Sequence, residues 1–135
     1  MKAQLLPYAF SLYALLGVAI LFFVQLLVAD VARIRAKITP GVQLPQDPTL
    51  FVFRAERAHK NTMESFGLFV IATLMAFLVE APATWVNAIC TAFLAARFGH
   101  MAMYYANQSL PRSVFWGFGT LSLAIQLILV GVSVP

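Results

Sequence analysis

The sequence predicts an all-α integral membrane protein, a four-transmembrane-helix bundle. Of its 135 residues, 61% are hydrophobic and only 10% are charged, whereas a soluble domain has about 45–50% and about 25%. A membrane-spanning helix needs about 20 mostly apolar residues, so the chain has room for four spans with short connections. We therefore predict one membrane domain over residues 1–135, with helices at about 5–37, 50–79, 82–105 and 112–134.

The first predicted helix has no charged residue from Ala3 to Ala29. The apolar core of a secretory signal is only about 7–15 residues long, so we expect this stretch to be retained as a span. Pro40-Gly41 is predicted to end the helix. Three basic residues lie between the span and this break: Arg33, Arg35 and Lys37.

Turn-forming residues separate the other predicted helices. A proline-rich connector, residues 39–49, precedes the second helix, and Glu80 and Pro82 lie between the second and third. Residues 107–111 turn the chain before the fourth helix. Nearly all basic residues fall at the helix ends next to the first and third connections. This distribution predicts that both connections are cytoplasmic and both termini lie on the opposite side.

The composition also argues against several kinds of site. Basic residues gathered at helix ends differ from the exposed basic face of a nucleic-acid-binding protein. The single Cys90 excludes an internal disulfide, and the spacings of Cys and His are not those of a zinc site, so we expect no metal.

The uncharged part of the second helix, Ser65–Val79, is too short to cross the hydrocarbon alone. Its residues rise about 22 Å, against a hydrocarbon thickness of about 30 Å. Residues 60–64 are therefore expected to enter the membrane, with Asn61 and Glu64 pointing inward toward partners or water. Arg57 lies on the same helical face as these two residues.

The third and fourth helices bring polar residues to the same end of the bundle. Cations outnumber carboxylates there, because Arg54, Arg57, Lys60, Arg97 and Arg112 face only Glu56 and Glu64. Unpaired buried charges are costly, so the surplus predicts a bound ligand with carboxylates or phosphates, which arginine forks suit.

Structural alternatives stay open for these residues. Arg57 or Arg97 could form an ion pair with Glu64 that holds the bundle together, and His100 could be a hydrogen-bonded packing residue. The basic residues that follow the first span are typical of lipid head-group anchors.

Four motifs resemble a known family. They are Arg33-Ile34-Arg35, Arg57-x-x-x-Asn61-x-x-Glu64, Arg97-x-x-His100-x-x-x-Tyr104 and Pro111-Arg112-Ser113. Together they resemble the MAPEG family, the membrane-associated proteins in eicosanoid and glutathione metabolism, which includes microsomal glutathione transferases and prostaglandin E synthase. The short chain and short loops resemble those of a bacterial member, which would lie in the inner membrane.

The resemblance implies a homotrimer that uses glutathione as cosubstrate, bound between neighbouring subunits near the cytoplasmic side. The motif matches imply that one subunit's Arg33 and a set of further residues hold the tripeptide: Arg57, Asn61, Glu64, Arg97, His100 and Tyr104. In this match Glu64 receives the amino group, and Arg112 and Ser113 act on the thiol. Trp116 stands where prostaglandin-forming members carry a tyrosine, and the preceding turn is one residue shorter, which argues against prostaglandin synthesis.

The predicted function is therefore glutathione transfer, or glutathione peroxidase activity, on a lipophilic small molecule that arrives through the bilayer. The alternative is a non-catalytic membrane module that binds anionic lipid head groups. A proton path through Glu64 and His100 would need polar residues through the whole bilayer. In the halves away from the basic end, the second, third and fourth helices instead look almost purely apolar.

Overall fold

A computed structural model describes residues 2–39 and 41–135, and all regular structure within them is helical. Four long helices form the bundle: α1 (Ala9–Arg35), α2 (Phe51–Leu78), α3 (Ala83–Tyr105) and α4 (Ser109–Ser133). A short helical turn, Lys2–Leu5, and a 3₁₀ turn, Leu6–Tyr8, precede α1. The predicted all-helical class with four long helices is confirmed. The helix break expected at Pro40 lies outside the described residues.

The first three long helices end in the same way, with a non-glycine residue in the left-handed region. Lys37, Glu80 and Asn107 have φ angles of 55°, 52° and 56°. In each case the next residue donates its N–H to the carbonyl five residues back, at 2.9–3.1 Å. This bond closes the helix end and reverses the chain. As a result α1 ends at Arg35, two residues before the predicted boundary.

The fourth helix begins at Ser109, three residues before the predicted start. Pro111 was expected to lie in the preceding turn, but it occupies the first turn of α4. A proline is tolerated there because the first N–H groups of a helix have no intrahelical partner. The connection between α3 and α4 is correspondingly short.

Within the part of the chain that the structure describes, three helical segments are long and apolar enough to cross a membrane: Leu6–Arg35, Phe51–Leu78 and Ser109–Ser133. Large apolar side chains such as Phe23, Ile71 and Ile128 are exposed along them, as expected for lipid contact. The fourth crossing, by α3, stays a prediction. This helix packs against α1, α2 and α4 and carries buried Arg97 and His100, which reduce its apolar character.

The bundle core has two parts. The larger part lies along the middle of the helices, where Phe69 and Phe93 are fully buried and stack with ring centroids 4.2 Å apart. The smaller part lies where α1 ends and α2 begins, and consists mainly of small residues such as Ala29 and Ala55. The candidate site lies between these two parts of the core.

Candidate functional site

Six of the nine sequence-predicted site residues, all but Arg57, Glu64 and Ser113, fall into three groups at the basic end of the bundle, where α1 and α3 end and α2 and α4 begin. Each group joins residues from at least two helices. The groups are Asn61 with Arg97, His100 with Tyr104 and Arg112, and Arg33 with Glu56 and Lys60.

Arg97 is the central residue of the first group and is only 1% exposed. Its Nη1 donates a hydrogen bond to Oδ1 of Asn61 at 2.9 Å, and its Cζ lies 5.5 Å from the centroid of the Phe93 ring. Its Nε is buried without a hydrogen-bond partner. Among residues 2–39 and 41–135, no carboxylate forms an ion pair with this guanidinium. A buried cation of this kind is costly until a counter-charge arrives.

A cavity of about 150 Å³, here called the arginine cavity, lies beside this guanidinium. It is bounded by α2, α3 and α4, and its polar and aromatic lining includes Asn61, Glu64, Arg97, Trp116 and Thr120. The lining thus holds one cation and one carboxylate. Gly119 and Thr120 were not predicted at the site, although their spacing from Trp116 puts all three residues on one face of α4.

Glu64 lies on the wall of the arginine cavity, but its side chain is exposed on the outside of the single chain. The expectation that Glu64 points into the bundle is therefore wrong for one chain. The inward face of α2 is occupied instead by Ala58 and Thr62, both fully buried. The proposed ion pairs of Glu64 with Arg57 or Arg97 are also absent from the described residues.

The second group links α3 to α4 through an aromatic ring. His100 is buried and contacts Tyr104 edge-on, with ring centroids 4.9 Å apart. The Cζ of Arg112 lies 4.6 Å from the centroid of the Tyr104 ring. Such a contact stabilises a cation over the ring face, while the N–H groups at the edge of the guanidinium can still donate. The structure therefore brings Arg112 and Tyr104 together.

Ser113 follows Arg112 on α4 and is exposed. Its hydroxyl donates a hydrogen bond to the carbonyl oxygen of Ser109 at 3.2 Å, within the same helix. To donate to a ligand, this hydroxyl would have to rotate away from the helix carbonyl.

The third group is an ion-pair network centred on Glu56. Its Oε2 lies 2.8 Å from Nη2 of Arg33, and its Oε1 lies 2.7 Å from Nζ of Lys60. Arg33 is therefore bound to Glu56 of α2. With Arg57, these residues line a pocket of about 290 Å³, here called the basic pocket. Three cations share one carboxylate there, so this pocket also favours an anion.

The three arginines expected to be buried at this end differ in their exposure. Arg97 is buried, Arg112 is half-buried and Arg57 is exposed on the single chain. The expected burial is thus confirmed for Arg97 and is wrong for Arg57 on the single chain.

A polar cluster in the other half of the bundle was missed. Nε2 of Gln126 donates to Oγ1 of Thr73 at 2.8 Å and to Sγ of Cys90 at 3.5 Å, and all three residues are fully buried. The prediction that this half of the helices is almost purely apolar is therefore wrong. The signal was present, because isolated polar residues in membrane helices usually face one another.

The stacked rings of Phe69 and Phe93 separate this cluster from the arginine cavity. Along α2 the order is Asn61, Phe69, Thr73, and along α3 it is Arg97, Phe93, Cys90, so the ring pair lies between the two polar levels. A continuous polar path through the bundle is therefore interrupted, which argues against the proton-path hypothesis on structural grounds.

Comparison with known proteins identifies a family. Residues 10–132 match the sequence profile of the MAPEG family, and this range includes every residue of the three groups. No individual curated protein matches the chain.

Proposed function

The chain belongs to the MAPEG family, and on this premise we propose that it is a membrane-bound glutathione-dependent transferase. The family includes glutathione transferases. The chain would activate the thiol of glutathione for attack on a lipophilic electrophile or a hydroperoxide.

The observation that carries the proposal is the pair of unneutralised charges on the arginine cavity. Arg97 is buried without a carboxylate partner, and Glu64 lines the same cavity without forming an ion pair among the described residues. The glutamyl end of glutathione carries one ammonium and one carboxylate. Bound here, its carboxylate would neutralise Arg97 and its ammonium would neutralise Glu64, with charge-assisted hydrogen bonds to both.

The second carboxylate of glutathione, on its glycine end, would bind a second group of cations. The basic pocket supplies Arg33, Arg57 and Lys60 against the single carboxylate of Glu56. One more negative charge would reduce this surplus.

Arg112 would activate the thiol. A free thiol has a pKa of about 8.5 and is mostly protonated at neutral pH, and a nearby cation stabilises the nucleophilic thiolate. Tyr104 holds the guanidinium of Arg112 by its ring face, which leaves the N–H edge for the sulfur. Ser113 and His100 would complete the polar surroundings of the tripeptide.

In the transfer reaction the thiolate sulfur attacks an electrophilic carbon, a C–S bond forms, and the leaving group departs with its electron pair. The electrophile would approach from the lipid side, where Leu68 and Trp116 line the cavity and are exposed. This route explains why a water-soluble tripeptide would be used inside a membrane protein.

We further propose that the protein is a homotrimer in a bacterial inner membrane, with its basic end in the cytoplasm. Glu64 and Arg57 are exposed on the single chain, so their charges are available to a neighbouring subunit or to a ligand at the subunit boundary. Cytoplasmic placement follows the distribution of basic residues.

A second candidate function is a non-catalytic module that binds anionic lipid head groups. The cation surplus of the basic pocket favours it, because phosphates and carboxylates both suit arginine. This alternative predicts stabilisation by anionic lipid and none by glutathione.

Thermal melting of the purified protein in detergent distinguishes the two functions. We expect glutathione and a thiol-free analogue such as ophthalmic acid to raise the melting temperature, because both carry the same charged groups. Conjugation of glutathione to a generic aromatic electrophile should follow. Stabilisation by anionic lipid alone, with no conjugation, would favour the head-group module and contradict the transferase.

Two variants test the residue roles. Arg112→Ala should abolish conjugation while largely preserving glutathione binding, and unchanged turnover would remove Arg112 from the chemistry. Glu64→Gln should weaken glutathione binding because the ammonium loses its charged partner. Equal affinity of this variant in calorimetry would contradict the proposed orientation of the tripeptide.

A further inference from the structure

Gly119 on α4 occupies a position where the absence of a side chain matters. A Cβ atom built there would lie 2.5 Å from Nη2, 3.0 Å from Nε and 3.1 Å from Cζ of Arg97. These distances are shorter than van der Waals contact, so the guanidinium lies directly against the glycine backbone. Gly119 is in regular helix and its backbone has no positive φ angle. Space, and not backbone conformation, therefore makes glycine necessary here.

The other tightly packed glycines of the described chain face apolar side chains. A Cβ at Gly17 would meet Leu94, and one at Gly99 would meet the ring of Phe115. Those two glycines allow helices to pack closely. Gly119 instead makes room for a charged group that lines the arginine cavity.

A methyl group at position 119 would displace the guanidinium of Arg97 before it moved any backbone, because the nearest atoms belong to the free end of a flexible side chain. Apart from the arginine cavity, Arg97 has little alternative space. Its Nη1 is held by Asn61 at 2.9 Å, the Phe93 ring lies on one side, and the side chain is buried. Displacement would therefore cost the bond to Asn61 and the alignment of the cation with the cavity.

From this geometry we infer that Gly119 is a positioning residue for glutathione binding: its missing side chain sets where Arg97 presents its charge to the arginine cavity. The inference rests on the proposed function, since it assigns Gly119 to the binding of the glutathione carboxylate. Gly119 itself need not touch the ligand.

Gly119→Ala is the test, and Gly117→Ala is its matched control. Gly117 lies on the same helix, and a Cβ there would have no neighbour within 4 Å. We expect Gly119→Ala to raise KM for glutathione about tenfold, the loss expected for one hydrogen bond from a charged donor. The kcat and the KM for the electrophile should change less than about twofold. Gly117→Ala should change none of the three. An unchanged KM for glutathione in Gly119→Ala would overturn the inference.

The same pair of variants in an Arg97→Met background shows whether the effect passes through Arg97. Arg97→Gln, whose side chain ends before the position of Cζ, provides a second background in case the methionine variant folds poorly. In either background Gly119→Ala should cause no further rise in KM for glutathione. A tenfold rise that persists without the arginine would mean that the methyl group acts on another part of the site, and would overturn the inference.

Melting of the ligand-free protein separates this inference from the proposed function. If the wild-type chain neither binds nor conjugates glutathione, the proposed function fails. Gly119→Ala should still lower the melting temperature when Arg97 is present and not when Arg97 is replaced. Equal melting shifts in both backgrounds would show that Gly119 does not position the guanidinium.

Discussion

Replacing Arg97 by methionine should stabilise the ligand-free protein and weaken its binding of glutathione. The structure gives the reason, because Arg97 is buried, has one hydrogen bond to Asn61 and lacks a carboxylate partner among the described residues. The guanidinium is thus held in place without a carboxylate at ion-pair distance among the described residues. Methionine fills a similar volume and carries no charge.

The expected stabilisation of the ligand-free Arg97→Met variant is the difference between two opposing contributions. An arginine at the centre of a membrane helix costs about 2.5–3.5 kcal/mol on insertion scales, which is an upper limit for Arg97 because it lies toward the basic end of α3. The hydrogen bond from Arg97 to Asn61 returns about 1.5–3 kcal/mol. Asn61 is only partly buried, so water can replace part of that bond in the variant. The net gain is about 1 kcal/mol, which corresponds to a rise of about 3–5 °C in melting temperature for a chain of this size.

Glutathione binding should change in the opposite direction. Truncating one partner of a buried, hydrogen-bonded charge pair costs about 2–5 kcal/mol, so the affinity should fall by at least about 30-fold. Melting curves of the purified protein in detergent, with and without glutathione, measure both effects. Arg57→Met is the control for the ligand-free protein, since Arg57 is exposed and its replacement should shift melting by about 1 °C or less. A clear fall in the melting temperature of ligand-free Arg97→Met would refute the reasoning, because it would mean that the charge is already neutralised within the protein.

Two further predictions concern the loop and the ion-pair network beside the site. Glu56→Gln removes the carboxylate shared by Arg33 and Lys60, so it should lower the melting temperature at low ionic strength. The difference should shrink in part at about 1 M salt, because screening weakens the pair with Lys60, whose side chain is 50% exposed, more than the pair of Arg33 with Glu56, whose side chains are 22% and 16% exposed. A difference of equal size in high salt would contradict a contribution from the Lys60 pair. In the loop before α2, hydrogen bonds from the Thr49 side chain and backbone lower the pKa of Asp47, so this contact stabilises the loop above the ordinary pKa and is lost as the pH falls through the lowered value. Thr49→Val should raise that pKa toward its ordinary value in an NMR titration of the carboxyl carbon, whereas an unchanged pKa would show that the side-chain bond does not form.

The helical fold was predictable because composition and segment length leave few alternatives for so apolar a chain. The positions of the helix ends were less predictable. Lys37 and Glu80 adopt left-handed backbone angles that the sequence does not mark, since glycine is the usual residue there. The start of α4 was misplaced because Pro111 is equally compatible with a turn and with the first turn of a helix.

Helical periodicity placed Arg57, Asn61 and Glu64 on one face of α2 but did not establish the direction of that face. The small residues Ala55 and Ala58 mark the true inward face, since both are fully buried, and they were the usable signal. Two features at the site depend on contacts between distant segments. The ion pair of Arg33 with Glu56 joins separate helices. The space that Gly119 leaves for Arg97 arises only when α4 packs on α3, so no local pattern could have revealed it.

The stacked rings of Phe69 and Phe93 form a buried apolar layer between the arginine cavity and the polar residues of the other half of the bundle. Thiol activation releases a proton and product formation often takes one up, so such a site placed within a membrane risks leaking protons between compartments. Because the ring pair closes the interior below the cavity, protons from the reaction would exchange with one aqueous side alone. Under the proposed function, this apolar layer would keep the reaction from carrying protons across an energised membrane.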